Sequence, residues 1–82
     1  MMTADQMRAA RALLGWSQAQ LSEKSGVSLP TIKRMETAGT GKSAGDTIQK
    51  VESTLAAGGI QFIPENGGGA GVRWAKRQDA PE

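Results

Sequence analysis

Met7, Ala10 and Leu14 recur at helical spacing near the start of the chain, with Leu13 beside them. That periodicity predicts an amphipathic first helix carrying one apolar stripe. Thr3 supplies a hydroxyl to cap it, and Gln6 stands at the reciprocal position of a capping box. Gly15 ends the helix by taking up the left-handed backbone that closes helices, and Trp16 folds back onto the core. Ser17 and Gln20 repeat the capping-box spacing and open a second helix. From it Leu21 points inward, while Ser22 fills a close helix–helix contact. Gly26 then makes a sharp turn within Ser25-Gly26-Val27, and Val27 plugs the corner beneath.

Ser28 caps a third helix, and Pro30 falls in its first turn, where a missing N–H has no consequence. On a wheel of about 100° per residue, positions 28–37 separate into two sides. Thr31, Ile32 and Met35 face one way; Pro30, Lys33, Arg34 and Thr37 face the other, with Leu29 at the edge. Ala38 to Lys42 reads as a loop. Ser43 caps a fourth helix with Asp46 at the acidic capping position, and Ala44, Ile48, Val51 and Leu55 form its inward stripe until Gly58-Gly59 stops it.

Beyond this the pattern changes. Ile60-Gln61-Phe62-Ile63 is branched and aromatic and predicts a strand, and Val72-Arg73-Trp74-Ala75 predicts a second. A wide connection, Pro64-Glu65-Asn66 and a glycine cluster, allows them to pair as a hairpin. A lone two-stranded hairpin is marginal in water, so it either meets a second subunit or lies on its own core. A second subunit is the expectation, with Ile60, Phe62, Val72 and Trp74 as the dimerisation residues. The fold class that follows is mainly α: a compact bundle of four to five helices with a short C-terminal β-strand or hairpin. Residues 1–59 form the helical domain, 60–77 the β segment and 78–82 a disordered tail.

Composition narrows the chemistry. The chain has 82 residues, no cysteine, no histidine and a formal net charge of +2. Disulfides and thiolate–metal staples are excluded, and the commonest zinc ligand and general base is missing. A domain this small gains stability most readily by self-association. No apolar run approaches the length of a membrane span, and the first residues lack the apolar stretch of a signal peptide; with no cysteine, this fits a cytoplasmic protein. The small positive charge matters through its placement, since Lys24, Lys33, Arg34 and Lys42 cluster around the second and third helices.

Two glycine-rich stretches carry no phosphate chemistry. Gly41-Lys42-Ser43 matches the end of a phosphate-binding loop, but Glu36 stands where that loop requires glycine, and a helix precedes it instead of a strand. Gly67-Gly68-Gly69-Ala70-Gly71 opens no helix, so it is no dinucleotide site. No nucleophile–base pair is visible, and Asp5, Glu23, Glu36, Asp46 and Glu52 are explained as helix-surface or capping residues. The expectation is a protein that is not an enzyme and has no cofactor or metal.

The segment Gln18 to Glu36 therefore carries the function. Two short helices about a glycine turn are the layout of a helix-turn-helix, whose second helix is offered to the major groove. The pattern Arg11-x-x-x-Gly15-Trp16-Ser17-Gln18-x-x-Leu21, followed by Gly26-Val27-Ser28-x-x-Thr31-Ile32-x-x-x-Glu36, resembles the Cro/C1-type (XRE family) regulators of bacteria and phages. The likeness covers about residues 4–57. It implies a dimer on a two-fold symmetric operator in double-stranded DNA. It also implies that Leu29, Pro30, Lys33 and Arg34 contact bases and flanking backbone. Gln18 would meet a phosphate at a helix N-terminus, with Ser17, Ser28, Thr31 and Lys42 as further phosphate contacts, while Arg11 and Glu36 would form a structural ion pair.

Three departures from the family pattern matter. Ser22 stands where alanine is usual, Leu29 and Pro30 replace polar side chains, and the loop after Glu36 lacks a basic run. Direct readout then leans on Lys33 and Arg34, whose preferred target is guanine, while Leu29 suits a thymine methyl. The reading is a transcriptional repressor. The apolar Leu29-Pro30 start keeps a second reading open, an antitoxin or anti-activator that uses the scaffold to bind a protein.

Overall fold

The computed structural model describes residues 2–76. Four helices are followed by a hairpin: α1 (Ala4–Leu14), α2 (Gln18–Ser25), α3 (Leu29–Ala38), α4 (Gly45–Ala57), β1 (Ile60–Ile63) and β2 (Gly71–Trp74). The expected disordered tail at 78–82 lies outside the described residues.

Local chemistry sets the first two helices. Thr3 Oγ1 accepts from the Gln6 amide at 3.1 Å while Gln6 Oε1 accepts from the Thr3 amide at 2.9 Å, a complete capping box. Ser17 and Gln20 form the same box at the head of α2. Gly15 (φ 70°) and Gly26 (φ 76°) close the two helices in the left-handed region, where a side chain would be strained. Ser22, the departure from alanine, does more than fit. Its hydroxyl donates to the Val27 carbonyl at 2.6 Å and fastens the turn across its mouth.

Two caps differ from expectation. Ser28 is at the N-cap of α3, yet its hydroxyl hydrogen-bonds Thr31 Oγ1 at 2.8 Å and makes no bond to the helix backbone. Helix α4 has Ala44, not Ser43, at its N-cap, and no side chain caps it. The Ser43 amide donates to the Thr40 carbonyl at 3.0 Å, which holds Ser43 in the preceding turn and delays the helix. Ala44 is accordingly exposed and leaves the inward stripe, which Ile48, Val51 and Leu55 complete.

The core gathers Met7, Ala10, Leu21, Val27, Ile32, Met35, Ile48, Val51, Leu55 and Ile60, together with Met2. Leu14 and Trp16 pack on its margin, whereas Leu13 is 41% exposed and does not belong to the stripe. Met2 is held where it is because buried Thr40 donates its hydroxyl to the Met2 carbonyl at 2.9 Å.

The strands pair antiparallel, with Ile60 opposite Trp74 and Phe62 opposite Val72. The second strand begins one residue earlier than predicted, and Ala75 continues the ladder by donating to the Gly59 carbonyl at 2.8 Å. Strand β1 packs near α4 and β2 near α1. Ile60 is 3% exposed, and Phe62, Val72 and Trp74 all pack against the chain's own core. The four side chains expected at a subunit interface thus cover the helices of their own chain, on the face that carries most of the hairpin's apolar side chains. Gln6 secures the arrangement: its amide nitrogen donates to the carbonyls of Ile63 at 3.1 Å and Gly71 at 2.9 Å.

Candidate nucleic-acid interface

The site is assembled around one buried carboxylate. Glu36, near the end of α3, is 4% exposed. Arg11 of α1 donates to it through Nε and Nη2, both at 2.9 Å, and gives Nη1 to the Trp16 carbonyl at 3.1 Å. The hydrogen bond to Glu36 is the main influence raising the Arg11 pKa; the attraction of the two charges adds to it, and partial burial opposes both. This bidentate geometry fixes the angle between α1 and α3.

Gln18, at the first position of α2, donates its side-chain amide to Glu36 Oε1 at 3.1 Å. A carboxylate in an ion pair only accepts, so the NH2 end of the amide must face it. One amide hydrogen is thereby fixed on Glu36 and the other is left for an outside acceptor. Arg8 joins the same centre, donating Nη1 to the Glu36 backbone carbonyl and Nη2 to the Asp5 carboxylate. Sequence reasoning missed Arg8; the Asp5–Arg8 spacing was a visible signal for the ion pair, but nothing local announced the carbonyl of α3.

Outward from this centre, Pro30, Lys33, Arg34 and Thr37 are all exposed along one side of α3, while Leu29 and Thr31 are half-buried. Lys33, Arg34 and Lys42 have no ion-pair or hydrogen-bond partner among the described residues. Ser17 and Ser28, at the heads of α2 and α3, are exposed as well. Lys24 is placed differently: its ammonium lies 5.0 Å from the Trp16 ring centroid, in a shallow recess shared with Thr54, Ala57 and Gly58 of the α4 end. It leaves the cluster of cations around the third helix and serves packing.

The arrangement is a rigid presentation of one helix face. Three helices meet at Glu36, the glycine turn is closed by Ser22, and the outer side of α3 carries cations with no partner among the described residues. A helix of about 10–12 Å diameter fits the major groove of B-DNA, which is about 12 Å wide. A helix-turn-helix family model matches residues 7–57. No curated protein matches the chain.

Proposed function

Because the chain belongs to the Cro/C1-type helix-turn-helix family, and is thus a DNA-binding regulator of transcription, we propose that it acts as a dimeric repressor in the cytoplasm. The observation that carries this reading is the α3 face, where Lys33 and Arg34, exposed and without a partner among the described residues, project from a helix anchored through Glu36. Arg34 and Lys33 read guanine edges, and Leu29 and Pro30 lie against the neighbouring bases. Gln18 gives its second amide hydrogen to a phosphate, at a helix N-terminus that favours negative charge. Ser17, Ser28, Thr31 and Lys42 add backbone contacts. A recognition helix covers only a few base pairs, so two copies would read half-sites separated by about 34 Å.

The test is a gel-shift series on an operator obtained by in vitro selection. Arg34→Ala weakens binding to the selected operator and relaxes preference at one base pair, by about 1–3 kcal/mol. Gln18→Ala weakens binding to all sequences alike. Unchanged operator affinity in Arg34→Ala would sink the readout assignment.

One observation favours a second reading, a protein-binding module such as an antitoxin or anti-activator. Helix α3 opens with half-buried Leu29 and exposed Pro30, an apolar start on a surface meant for polar base edges. Salt separates the two. Binding through phosphates falls steeply as salt rises, with a log–log slope of about −0.9 per contact; an apolar protein interface shows little such slope.

A further inference from the structure

The helices do not end alike. Gly15, Gly26 and Gly58 each turn a backbone amide back onto the helix they follow. Gly39, which follows α3, makes no such bond; at φ 94° and ψ 163° it leads the chain away. Among the described residues no backbone amide beyond α3 reaches the carbonyls of Met35, Glu36, Thr37 or Ala38. These closing carbonyls have no partner within the helix, and they form the negative end of its dipole. The last turn of α3 carries no basic residue to serve them.

The donor comes from another helix. Arg8 of α1 gives Nη1 to the Glu36 carbonyl, and its Nη2 goes to the Asp5 carboxylate one turn back on α1. The Asp5–Arg8 pair lies at the surface, with side chains 89% and 45% exposed, and such a pair adds little stability. Its effect is to orient. The guanidinium is planar, so an anion held on one side aims the other side at the carbonyl. Arg8 thus supplies α3 with the hydrogen bond and the cation that its own end lacks.

The angle of α3 depends on this contact too. Arg11, three residues further along the same side of α1, grips Glu36 by its carboxylate. Several rotatable bonds separate that carboxylate from the backbone, so this grip alone leaves the helix free to roll. Arg8 holds the same residue by its main chain. Ile32 and Met35 seat the middle of α3 in the core, whereas Thr37 and Ala38 are exposed. Between Glu36 and Thr40, whose hydroxyl is tied to Met2, no other side-chain contact holds the chain among the described residues. Lys33 and Arg34 stand within one turn of Glu36.

We infer that Arg8 is a positioning residue for base reading: it caps α3 from α1, aimed by Asp5, and sets where Lys33 and Arg34 enter the groove. The inference rests on the α3 readout proposed above. The rival role for an exposed arginine beside such a helix is a phosphate contact. A phosphate contact strengthens binding to all sequences alike, whereas a positioning residue acts only where base edges are read.

Arg8→Met keeps the apolar stem and removes the donors. Without DNA, its amide hydrogen exchange is expected to accelerate at residues 36–39 while α2 stays protected; an unchanged pattern there would overturn the cap. Gel shifts on the selected operator and on a scrambled duplex test the positioning. The operator-to-scrambled affinity ratio is expected to fall about five-fold or more, the lower end of what one good base contact contributes, with an unchanged salt slope. Arg8→Lys keeps the charge and a donor, and is expected to lose less. Gln6→Ala is the control, because Gln6 bonds Thr3 and the hairpin and touches nothing in α3; its ratio should match that of the wild type. A ratio unchanged in both Arg8 variants, or lowered equally in Gln6→Ala, would overturn the positioning role. Equal losses on both duplexes, with a salt slope shallower by about 0.9, would make Arg8 a phosphate contact instead. A wild type that does not distinguish the two duplexes would overturn the readout itself, while the cap would still stand or fall on the exchange measurement.

Discussion

At the scale of single residues, the ion pair is the most consequential contact. Arg11→Met leaves the Glu36 carboxylate buried with only Gln18 and the Arg8 contact nearby, and is expected to cost about 3–5 kcal/mol. Urea denaturation followed by Trp fluorescence measures it, and Arg11→Met combined with Glu36→Leu should recover much of the loss. A recovery of nothing would mean that the cost lies in packing and not in the stranded charge. Alkaline pH leaves the pair intact. Arg11 has a raised pKa, so its contribution is fully present below the unfolded value and is lost only as pH rises through the folded one, in the strongly alkaline range. Arg11 and Glu36 were legible in the sequence because their spacing forms part of a family pattern. Arg8, Thr40 and Met2 were not, since each is tied to a partner 28 or 38 residues away and neither end has a distinctive neighbour.

Among the elements, α4 and the hairpin give the clearest expectations. Helix α4 starts without a side-chain cap, and Ala44 already has the extended backbone of an N-cap at φ −63°, ψ 145°. Ala44→Asp should stabilise the protein by about 1 kcal/mol, raising the melting temperature by about 4–8 °C for a domain of this size. The hairpin is held at its loop end by Gln6. Gln6→Ala leaves the Ile63 and Gly71 carbonyls and the Thr3 amide without their side-chain partner, at about 1–3 kcal/mol. Amide hydrogen exchange should then accelerate in 60–63 and 71–74 before it does in α2 or α3. The sequence marks helix starts and stops well because caps are local: Thr3 with Gln6, Ser17 with Gln20, Gly15 and Gly26. It marks Ser43 wrongly because a serine before a helix and a serine in the turn ahead of it look the same. Gln6 shows the limit most plainly. Its capping role is written three residues away, while its role in the hairpin depends on a carbonyl 65 residues on.

For the molecule as a whole, the four-helix body and the β segment were readable from periodicity, but the direction in which the hairpin faces was not. Alternation places Ile60, Phe62, Val72 and Trp74 on one side, and it cannot say whether that side meets the chain's own helices or another copy. The finished core decides it. On the two-copy reading proposed above, operator binding should rise with the square of protein concentration below the dimerisation constant, and become first order above it. Titration of labelled operator over a wide protein range checks this; a single first-order curve throughout would argue that one copy binds alone. The meeting of three helices at Glu36 has an evolutionary consequence. Everything that fixes the angle of α3 lies on its inner side, so Pro30, Lys33, Arg34 and Thr37 can be exchanged as a set without disturbing the frame. On the readout proposed above, such a scaffold acquires a new genomic address by surface replacement alone, and duplicated copies of it diverge in target while remaining interchangeable in architecture.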